Sequence, residues 1–180
     1  GAPHEDAWLT MLHVGNGGMC FIDSVELDEV YTPIHVQTRR LIPDSEGAGR
    51  HRGAPGIEVE FGPVGCQMEA GFVHDGNIHV PQGARSGHAS ARSNQFKRTR
   101  NRDLETLDQC SIVWIEDGET LVSIAQGGGG YGDPRTRDPQ RVAKDVREGL
   151  VSRARAEETY GVAIADDMSV DETRTTELRN

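Results

Sequence analysis

Residues 126–134 read QGGGGYGDP, and the pattern of apolar residues changes on either side of this stretch. Upstream, residues 111–125 (SIVWIEDGETLVSIA) contain two short runs rich in β-branched residues, which are typical of β-strands. Downstream, over residues 133–180, apolar residues recur every three to four positions, as in amphipathic helices. We therefore predict an α+β fold, with a strand-rich body of glycine-rich turns over residues 1–132 and a short helical tail over residues 133–180.

The strands of the body are predicted from alternation and from turn residues. Asp117-Gly118 between the two β-branched runs is a strong signal for a β-hairpin. Residues 34–42 alternate apolar with polar side chains, and residues 57–61 do the same, as strands with one wet face do. The remaining assignments are a strand over 8–14, a half-buried element over 24–31 carrying Val25, Leu27 and Val30, a strand over 68–73, and a long irregular loop over 81–102.

Three short helices are predicted in the tail. Asp138 is a good N-cap for the first, Pro139 a good first helical residue, and Gly149 can end it. Ser152 can cap the second, and the third covers residues 171–178. Such short helices bury little alone, so we expect them to pack on the strands or on another chain. The residues expected to face inward are Val142, Val146, Leu150, Ala154, Ala156 and Tyr160.

The composition limits both the core and the class of partner. Only 35% of residues are hydrophobic and 5% aromatic, with 22 glycines and 8 prolines, so the core is thin and a partner surface is expected to complete it. The net charge of −10 argues against general nucleic-acid binding. A basic run over residues 85–102 is either a solvated loop or a surface that binds an acidic partner or nucleic acid.

The cysteine pattern and the hydropathy of the sequence indicate the cellular compartment of the protein. Cys20, Cys66 and Cys110 are widely spaced and contain no CxxC pair, which favours reduced thiols in the cytoplasm over a disulfide framework or a zinc site. No signal peptide is visible, and no run approaches the ~18 consecutive apolar residues of a membrane span. We therefore expect a cytoplasmic protein without membrane contact.

The glycine-rich stretch has two interpretations. Gly127, Gly129 and Gly132 satisfy the G-x-G-x-x-G pattern, whose backbone amides bind phosphate at the start of a helix. Here Asp133-Pro134 follows the loop and the helix begins only near Pro139. The alternative, a tight crossing where two backbones pack without side chains, is favoured.

Other candidate functional residues are isolated along the chain. His74, Asp75 and His79 bracket a turn and can in principle present a metal site, as can His4 with Glu5 and Asp6. Surface or interface histidines are the favoured interpretation for both sets. Cys20 follows a glycine pair but has no obvious base nearby. The residues alone identify no catalytic set.

Two segments together resemble a known family. Residues 41–56 read LIPDSEGAGRHRGAPG and resemble the PDSGGAGRxRGGxG segment of the hydantoinase B family, which includes subunits of ATP-dependent hydantoinases, 5-oxoprolinases and acetone and acetophenone carboxylases. The C-terminal signature of that family follows in the same order. Its matching positions are 127–134, 137–139, Val142, Asp145, Val146, Gly149, Val151, Ser152, Ala156 and 160–162.

The chain departs from the family at two places in the first motif and in its length. Residues 52–56 read RGAPG where the family has RGGxG. Glu46 replaces a glycine of the first motif, and we expect a side chain there to alter a turn whose glycine allows positive φ. The likeness is to the last third of much longer proteins. The chain is therefore expected to be a split gene product, a cleaved piece or a fragment.

The resemblance implies a multi-subunit enzyme. It implies ATP on a hydantoinase A-like ATPase subunit, and a divalent metal in the N-terminal part of the family, here on a larger hydantoinase B-like chain. No catalytic, cofactor or metal residue transfers to this chain. Arg50 and Arg52 map onto the first motif, where an arginine can bind a carboxylate or phosphate, or hold the loop to its own backbone.

The function implied is that of a small, split subunit of a complex that hydrolyses a cyclic amide such as hydantoin, oxoproline or a lactam. One alternative is a subunit of the related ATP-dependent, biotin-independent ketone carboxylases. A second is a non-catalytic scaffold whose basic run, including Lys97, Arg98 and Arg100, docks an acidic neighbour. A third is a free-standing metalloenzyme built on His74, Asp75 and His79.

Overall fold

The computed structural model describes residues 1–7 and 24–180 and contains both helices and antiparallel strands. The α+β prediction is confirmed, with strands in the body and helices in the tail. The strand predicted over residues 8–14 and Cys20 lie outside the described residues. In chain order the elements are α1 (Val25–Tyr31), β1 (Ile34–Leu41), β2 (Ile57–Pro63), β3 (Met68–Val73), β4 (Asn94–Arg98), β5 (Leu104–Thr106), β6 (Cys110–Ile115), β7 (Thr120–Ala125), α2 (Pro139–Arg147), α3 (Arg153–Glu158) and α4 (Glu172–Arg179).

The strands form two antiparallel sheets. The larger has the order β1-β2-β7-β4-β5, and the smaller consists of β3 and β6 alone. The register of β1 against β2 shifts between Val36 and Thr38, which marks a bulge near the start of the edge strand β1. The strands predicted over 34–42, 57–61 and 68–73 are all present.

The predicted hairpin of β6 and β7 is wrong. A tight turn does join the strands, with Gly118 at φ +84° and the amide of Glu119 donating to the carbonyl of Glu116. The strands then diverge, because both edges of β7 are occupied by β2 and β4 while β6 pairs with β3. Asp-Gly therefore determined the reversal of the chain, and distant segments determined the pairing.

Two other predictions in the body need correction. Residues 25–31 form helix α1, in which Val25 is half-buried as predicted, whereas Leu27 is 47% and Val30 75% exposed. The segment 81–102 is not irregular throughout, because it contains β4. Polar residues predicted a loop there, but β4 lies inside the larger sheet between β7 and β5.

The three helices of the tail form where they were predicted. The side chains of Asp138, Ser152 and Asp171 each accept a hydrogen bond from a backbone amide of the first turn, as N-caps do. Gly149 has φ +71°, the left-handed conformation that glycine adopts after a helix. Ala154 is exposed, contrary to expectation, whereas the other inward positions are buried or half-buried.

Among the described residues, a cluster of buried apolar side chains lies mainly in the tail. Its residues belong to α2, α3 and the segments that follow them, together with one residue of the body. Among the described residues, no helix combines the length and the apolar character that crossing a bilayer requires. The buried cluster consists of Ala48, Val142, Val146, Val151, Ala156, Tyr160 and Val162.

Candidate functional site

The two motif segments cross each other backbone to backbone. The amide of Gly47 donates to the carbonyl of Gly128 at 2.8 Å, and the amide of Gly128 donates to that of Ala54 at 2.8 Å. A Cβ on Gly49 would lie 2.6 Å from the backbone nitrogen of Tyr131, and one on Gly53 would overlap the carbonyl of Gly128. The predicted tight crossing is therefore confirmed, because no side chain fits between the segments.

Residues 82–88 form a third layer of this crossing. The amide of Ala84 donates to the carbonyl of Gly130, and the amide of Gly132 donates to the carbonyl of Ala84, both at 2.9 Å. The amide of Gly130 donates to His88 at 3.0 Å. The glycines thus let three chain segments pack closely.

The hydrogen bonds of the crossing decide against a phosphate loop. Phosphate binding of the G-x-G-x-x-G type needs free backbone amides that point at the ligand. Here the amides of Gly128, Gly130, Tyr131 and Gly132 all donate to backbone carbonyls of this chain. The loop is therefore part of the structural frame.

A buried arginine joins the beginning of the chain to the tail. Arg137 is 1% exposed, and its guanidinium contacts Asp6 at 2.6 and 2.8 Å and Asp145 at 2.8 Å. Burial by itself raises the pKa of Asp6, but the hydrogen bond and charge of Arg137 outweigh burial and hold that pKa below its usual range. Burial opposes the charge of Arg137, yet Asp6 and Asp145 raise its pKa above the ordinary value.

The two arginines of the first motif have structural roles. Arg52 donates from Nε to Asp145 at 3.0 Å and from Nη1 to the carbonyl of Gly53 at 3.2 Å, so it holds the loop to its own backbone and to α2. Arg50 takes part through its backbone. Its amide donates to Gly132 and its carbonyl accepts from Arg137, both at 3.1 Å.

Glu46 does not occupy a glycine-type turn, which corrects the expectation for this position. The φ of Glu46 is not positive. The residue of this motif that does have a positive φ is Asp44, at +59°. The Glu46 side chain is 1% exposed, and its Oε1 accepts from Nε of Arg155 and from the hydroxyl of Tyr160, both at 2.9 Å. Burial raises the pKa of this carboxyl.

Sequence reasoning missed the partners of the first motif. Asp44 accepts from the amide of Ser152 at 2.7 Å, so both acids of the PDSE segment bind the tail. The sequence offers only one signal of these contacts. Glu46 stands where the family has glycine, and a cation and a tyrosine hydroxyl occur elsewhere in the chain. The distance of 109 residues between Glu46 and Arg155 hides it.

A surface depression of about 460 Å³ borders the buried ion pairs. It is lined by acids and bases in mixed order, and the acids are engaged with the bases. Arg141, which is 45% exposed, contacts Asp6 at 3.0 Å. Because the guanidinium groups face carboxylates of the chain, the depression is not a ready-made anion site. Its lining residues include His4, Asp6, Arg52, Arg137, Arg141, Lys144, Asp145 and Glu148.

The histidine sets do not form metal sites in the described part of the chain. Within residues 1–7 and 24–180 no group of three His, Cys, Asp or Glu side chains is placed to hold a metal ion. His74 instead shares a hydrogen bond of 2.9 Å with Ser93, and Asp6 binds Arg137. The described residues therefore give no geometric support to a metalloenzyme built on His74, Asp75 and His79.

The basic run is engaged within the chain. Lys97 contacts Glu119 at 2.6 Å, Arg98 contacts Glu60 at 2.7 Å, and Arg100 donates to the carbonyl of Asp117 at 3.0 Å. These cations tie β4 to its neighbours. Because these three side chains already have partners within the chain, the structure gives no support to docking of an acidic partner through this run.

Comparison with known proteins gives relatives along most of the chain. The caprolactamase subunit beta of Pseudomonas jessenii is 31% identical over 162 residues, which is 88% of this chain and 28% of that subunit. The acetone carboxylase alpha subunit of Xanthobacter autotrophicus is 25% identical over 174 residues, 78% of this chain and 22% of that subunit. The chain therefore spans less than a third of the length of either relative.

The fold agrees with that of a solved relative. The crystal structure of the ATP-dependent caprolactamase from Pseudomonas jessenii superposes with a TM-score of 0.77 at 27% identity, covering 91% of this chain and 29% of the solved chain. The family model for hydantoinase B/oxoprolinase matches residues 1–134. Those residues contain the crossing of the two motif segments, and the chain belongs to the hydantoinase B/oxoprolinase family.

Proposed function

We propose that this chain is a small subunit of an ATP-dependent complex that hydrolyses a cyclic amide such as hydantoin, oxoproline or a lactam. The observation that carries the proposal is its likeness to the caprolactamase beta subunit over most of its length, in sequence and in fold. The caprolactamase is named as ATP-dependent, which supports the use of ATP by this complex.

We place ATP and a divalent metal on other subunits. The ATPase is of hydantoinase A type, and a larger hydantoinase B-like chain supplies the part of the relatives' length that this chain does not span. Transfer of the γ-phosphoryl group of ATP to the amide oxygen releases ADP and makes the carbonyl carbon electrophilic. Water then adds to that carbon, the C–N bond breaks as the ring nitrogen takes a proton, and a second water releases inorganic phosphate from the resulting acyl phosphate. The requirement for ATP and the reduced thiols favour the cytoplasm as the location.

The role proposed for this chain is to complete the structure of the complex. The glycine crossing and the ion pairs of Arg137 and Glu46 are formed within the chain, so they hold its shape, although Oε2 of Glu46 and Nε of Arg137 are buried without a hydrogen-bond partner. A purely non-catalytic scaffold is the limiting form of this role. It differs from the main proposal only in whether any residue of this chain touches the substrate.

A second candidate reaction is ATP-dependent carboxylation of a ketone. The observation that favours it is the similarity to the acetone carboxylase alpha subunit. Both reactions activate a carbonyl oxygen with ATP, and they differ in whether bicarbonate or water reacts next. This difference gives the assay that separates them.

The test is purification of the complex under gentle conditions, followed by native mass spectrometry and an ATPase assay. We expect this chain to copurify with an ATPase subunit and a larger hydantoinase B-like chain, and ATP hydrolysis to depend on a cyclic amide but not on bicarbonate. ATP hydrolysis that requires bicarbonate and a ketone would establish the carboxylase instead. A chain that purifies alone would contradict both reactions.

A further inference from the structure

The smaller sheet turns an apolar face to solvent. Directly opposite residues of an antiparallel pair lie on the same face, and the register places Val73 opposite Cys110 and Gly71 opposite Ile112. Val73 is 80% exposed, Ile112 69% and Trp114 51%. We call this set the outer face: Glu69, Gly71, Val73, Cys110, Ile112 and Trp114.

This face has the properties of a surface that another chain covers. Its only ionisable side chain at neutral pH is Glu69, and exposed apolar patches of this kind mark interaction sites. A two-stranded sheet is marginally stable by itself, and residues 74–109 separate β3 from β6 along the chain. The opposite face is half-buried except at Ile115, which is fully buried. An additional layer on the outer face would supply the missing burial.

The backbone of β6 is held in place, so that its outward-facing apolar residues are presented for such a contact. Ile115, the residue after Trp114, is fully buried, and the carbonyl of Trp114 accepts a hydrogen bond from Nζ of Lys97 at 3.2 Å. These contacts fix the backbone from which Ile112 and Trp114 project. Ile112 lies in the central pair of this face, and Trp114 lies at one end, opposite Glu69. Tryptophan is among the residues that most often carry the binding energy of an interface.

The structure assigns the outer face to the larger hydantoinase B-like chain, an inference that rests on the proposed function. This chain spans 28% of the caprolactamase beta subunit, so most of that subunit's length is left to pack around the part that corresponds to this chain. A second copy is disfavoured because each copy carries a net charge of −10 and the two would repel. The complementary surface is therefore apolar, with positive charge near Glu69.

Two free cysteines in the described part of the chain provide a direct test. Cys110 lies on the outer face, and Cys66 lies between β2 and β3, away from it; both are exposed. Alkylation by iodoacetamide is followed by peptide mass spectrometry in this chain alone and in the complex with the larger chain. We expect Cys110 to react at least about tenfold more slowly in the complex, and the rate at Cys66 to change little.

The outcomes separate the inference from the proposed function. A complex that hydrolyses ATP with a cyclic amide while Cys110 reacts as fast as in the isolated chain would overturn the inference alone. Slow alkylation of Cys110 in the isolated chain would also overturn it. Protection that does not depend on protein concentration would mean that residues of this chain cover Cys110, and protection that grows with concentration would mean that the chain self-associates. If no larger chain binds, the inference and the split-subunit proposal fail together.

A pair of lysine variants supplies the matched control. Trp114→Lys places a charge in the outer face, and Leu104→Lys places one at an equally exposed site on β5, both positions being 51% exposed. We expect Trp114→Lys to weaken binding of the larger chain at least about tenfold, because the indole contact is lost and an ammonium group with only Glu69 opposite it would be buried, while Leu104→Lys binds as the unsubstituted chain does. Equal binding by both variants, with circular dichroism spectra unchanged, would overturn the inference.

Discussion

At the scale of single residues, buried charges hold the distant parts of the chain together. Arg137 contacts Asp6 and Asp145, and Asp145 also contacts Arg52, so one cluster joins the first residues, the first motif and α2. A buried ion pair adds little net stability compared with apolar residues, but removal of one partner leaves an uncompensated charge. These residues are therefore sensitive to substitution although they have no assigned catalytic role.

Asp145→Asn tests this cluster. We expect the free energy of unfolding to fall by about 3–5 kcal/mol, because Arg137 and Arg52 lose a buried carboxylate. Glu148→Gln is the control on the same helix segment, since its pair with Lys144 is exposed and contributes about 0.5 kcal/mol or less. Urea unfolding monitored by circular dichroism measures both; equal midpoints would contradict a stabilising role for the cluster.

Glu46 makes stability depend on pH in an identifiable direction. Burial raises the pKa of this carboxyl in the folded state above the value of 4.5 typical of an exposed glutamate. The folded state therefore binds the proton more tightly than the unfolded state. The resulting stabilisation is fully present below the unfolded pKa and is lost as the pH rises through the folded pKa.

Glu46→Gln isolates this contribution. The amide oxygen can still accept from Arg155 and Tyr160, and no negative charge has to be buried. Below pH 4.5 we expect similar stability in the variant and the unsubstituted chain, and above it an increasing advantage for the variant. Urea unfolding across this range measures the difference. A variant that is less stable at neutral pH would mean that the pair with Arg155 outweighs burial of the carboxylate.

At the scale of elements, the crossing of the motif segments depends on glycine at specific positions. Gly53→Ala would force its methyl group into the carbonyl of Gly128, so we expect a loss of about 3 kcal/mol or more. Gly71→Ala is the control, because its Cβ would lie 3.8 Å from Ile112 and its φ is ordinary; a change within about 0.5 kcal/mol is expected. Thermal unfolding distinguishes the two variants, and equal melting temperatures would contradict the role of the crossing.

At the scale of the whole molecule, the tail and the body form a shared core. Ala48 of the body packs among Val142 and Tyr160 of the tail, and Asp44 and Glu46 bind tail residues. The division at residue 132 remains a prediction, and we propose that it separates types of secondary structure and not units that fold independently.

Truncation after Gly132 tests this proposal. We expect cooperative unfolding to be lost, because Ala48 and the acids of the first motif would lose their partners. Truncation after Asp171 is the control, since α4 buries only Thr175 and its loss is expected to lower stability by about 1–3 kcal/mol. A body of residues 1–132 that melts in one sharp transition by circular dichroism would contradict the proposal.

The sequence by itself determined the features that depend on neighbouring residues. The N-caps Asp138 and Ser152, the glycine after α2 and the alternation of β1 and β2 were all predicted, because caps, turns and strand periods act over a few positions. The glycine crossing was also predicted, since a run of glycines without a helix at its end favours backbone packing over phosphate binding.

Only the tertiary structure decided which distant segments meet. It separated β6 from β7, inserted β4 into a segment that reads as a loop, and paired Glu46 with Arg155 and Arg137 with Asp6. Pairing of strands and of buried charges follows from packing across the whole chain, and no local pattern encodes it. Two sequence motifs were enough to identify the family. The structural roles of the glycines, acids and arginines in those motifs became visible only in the fold.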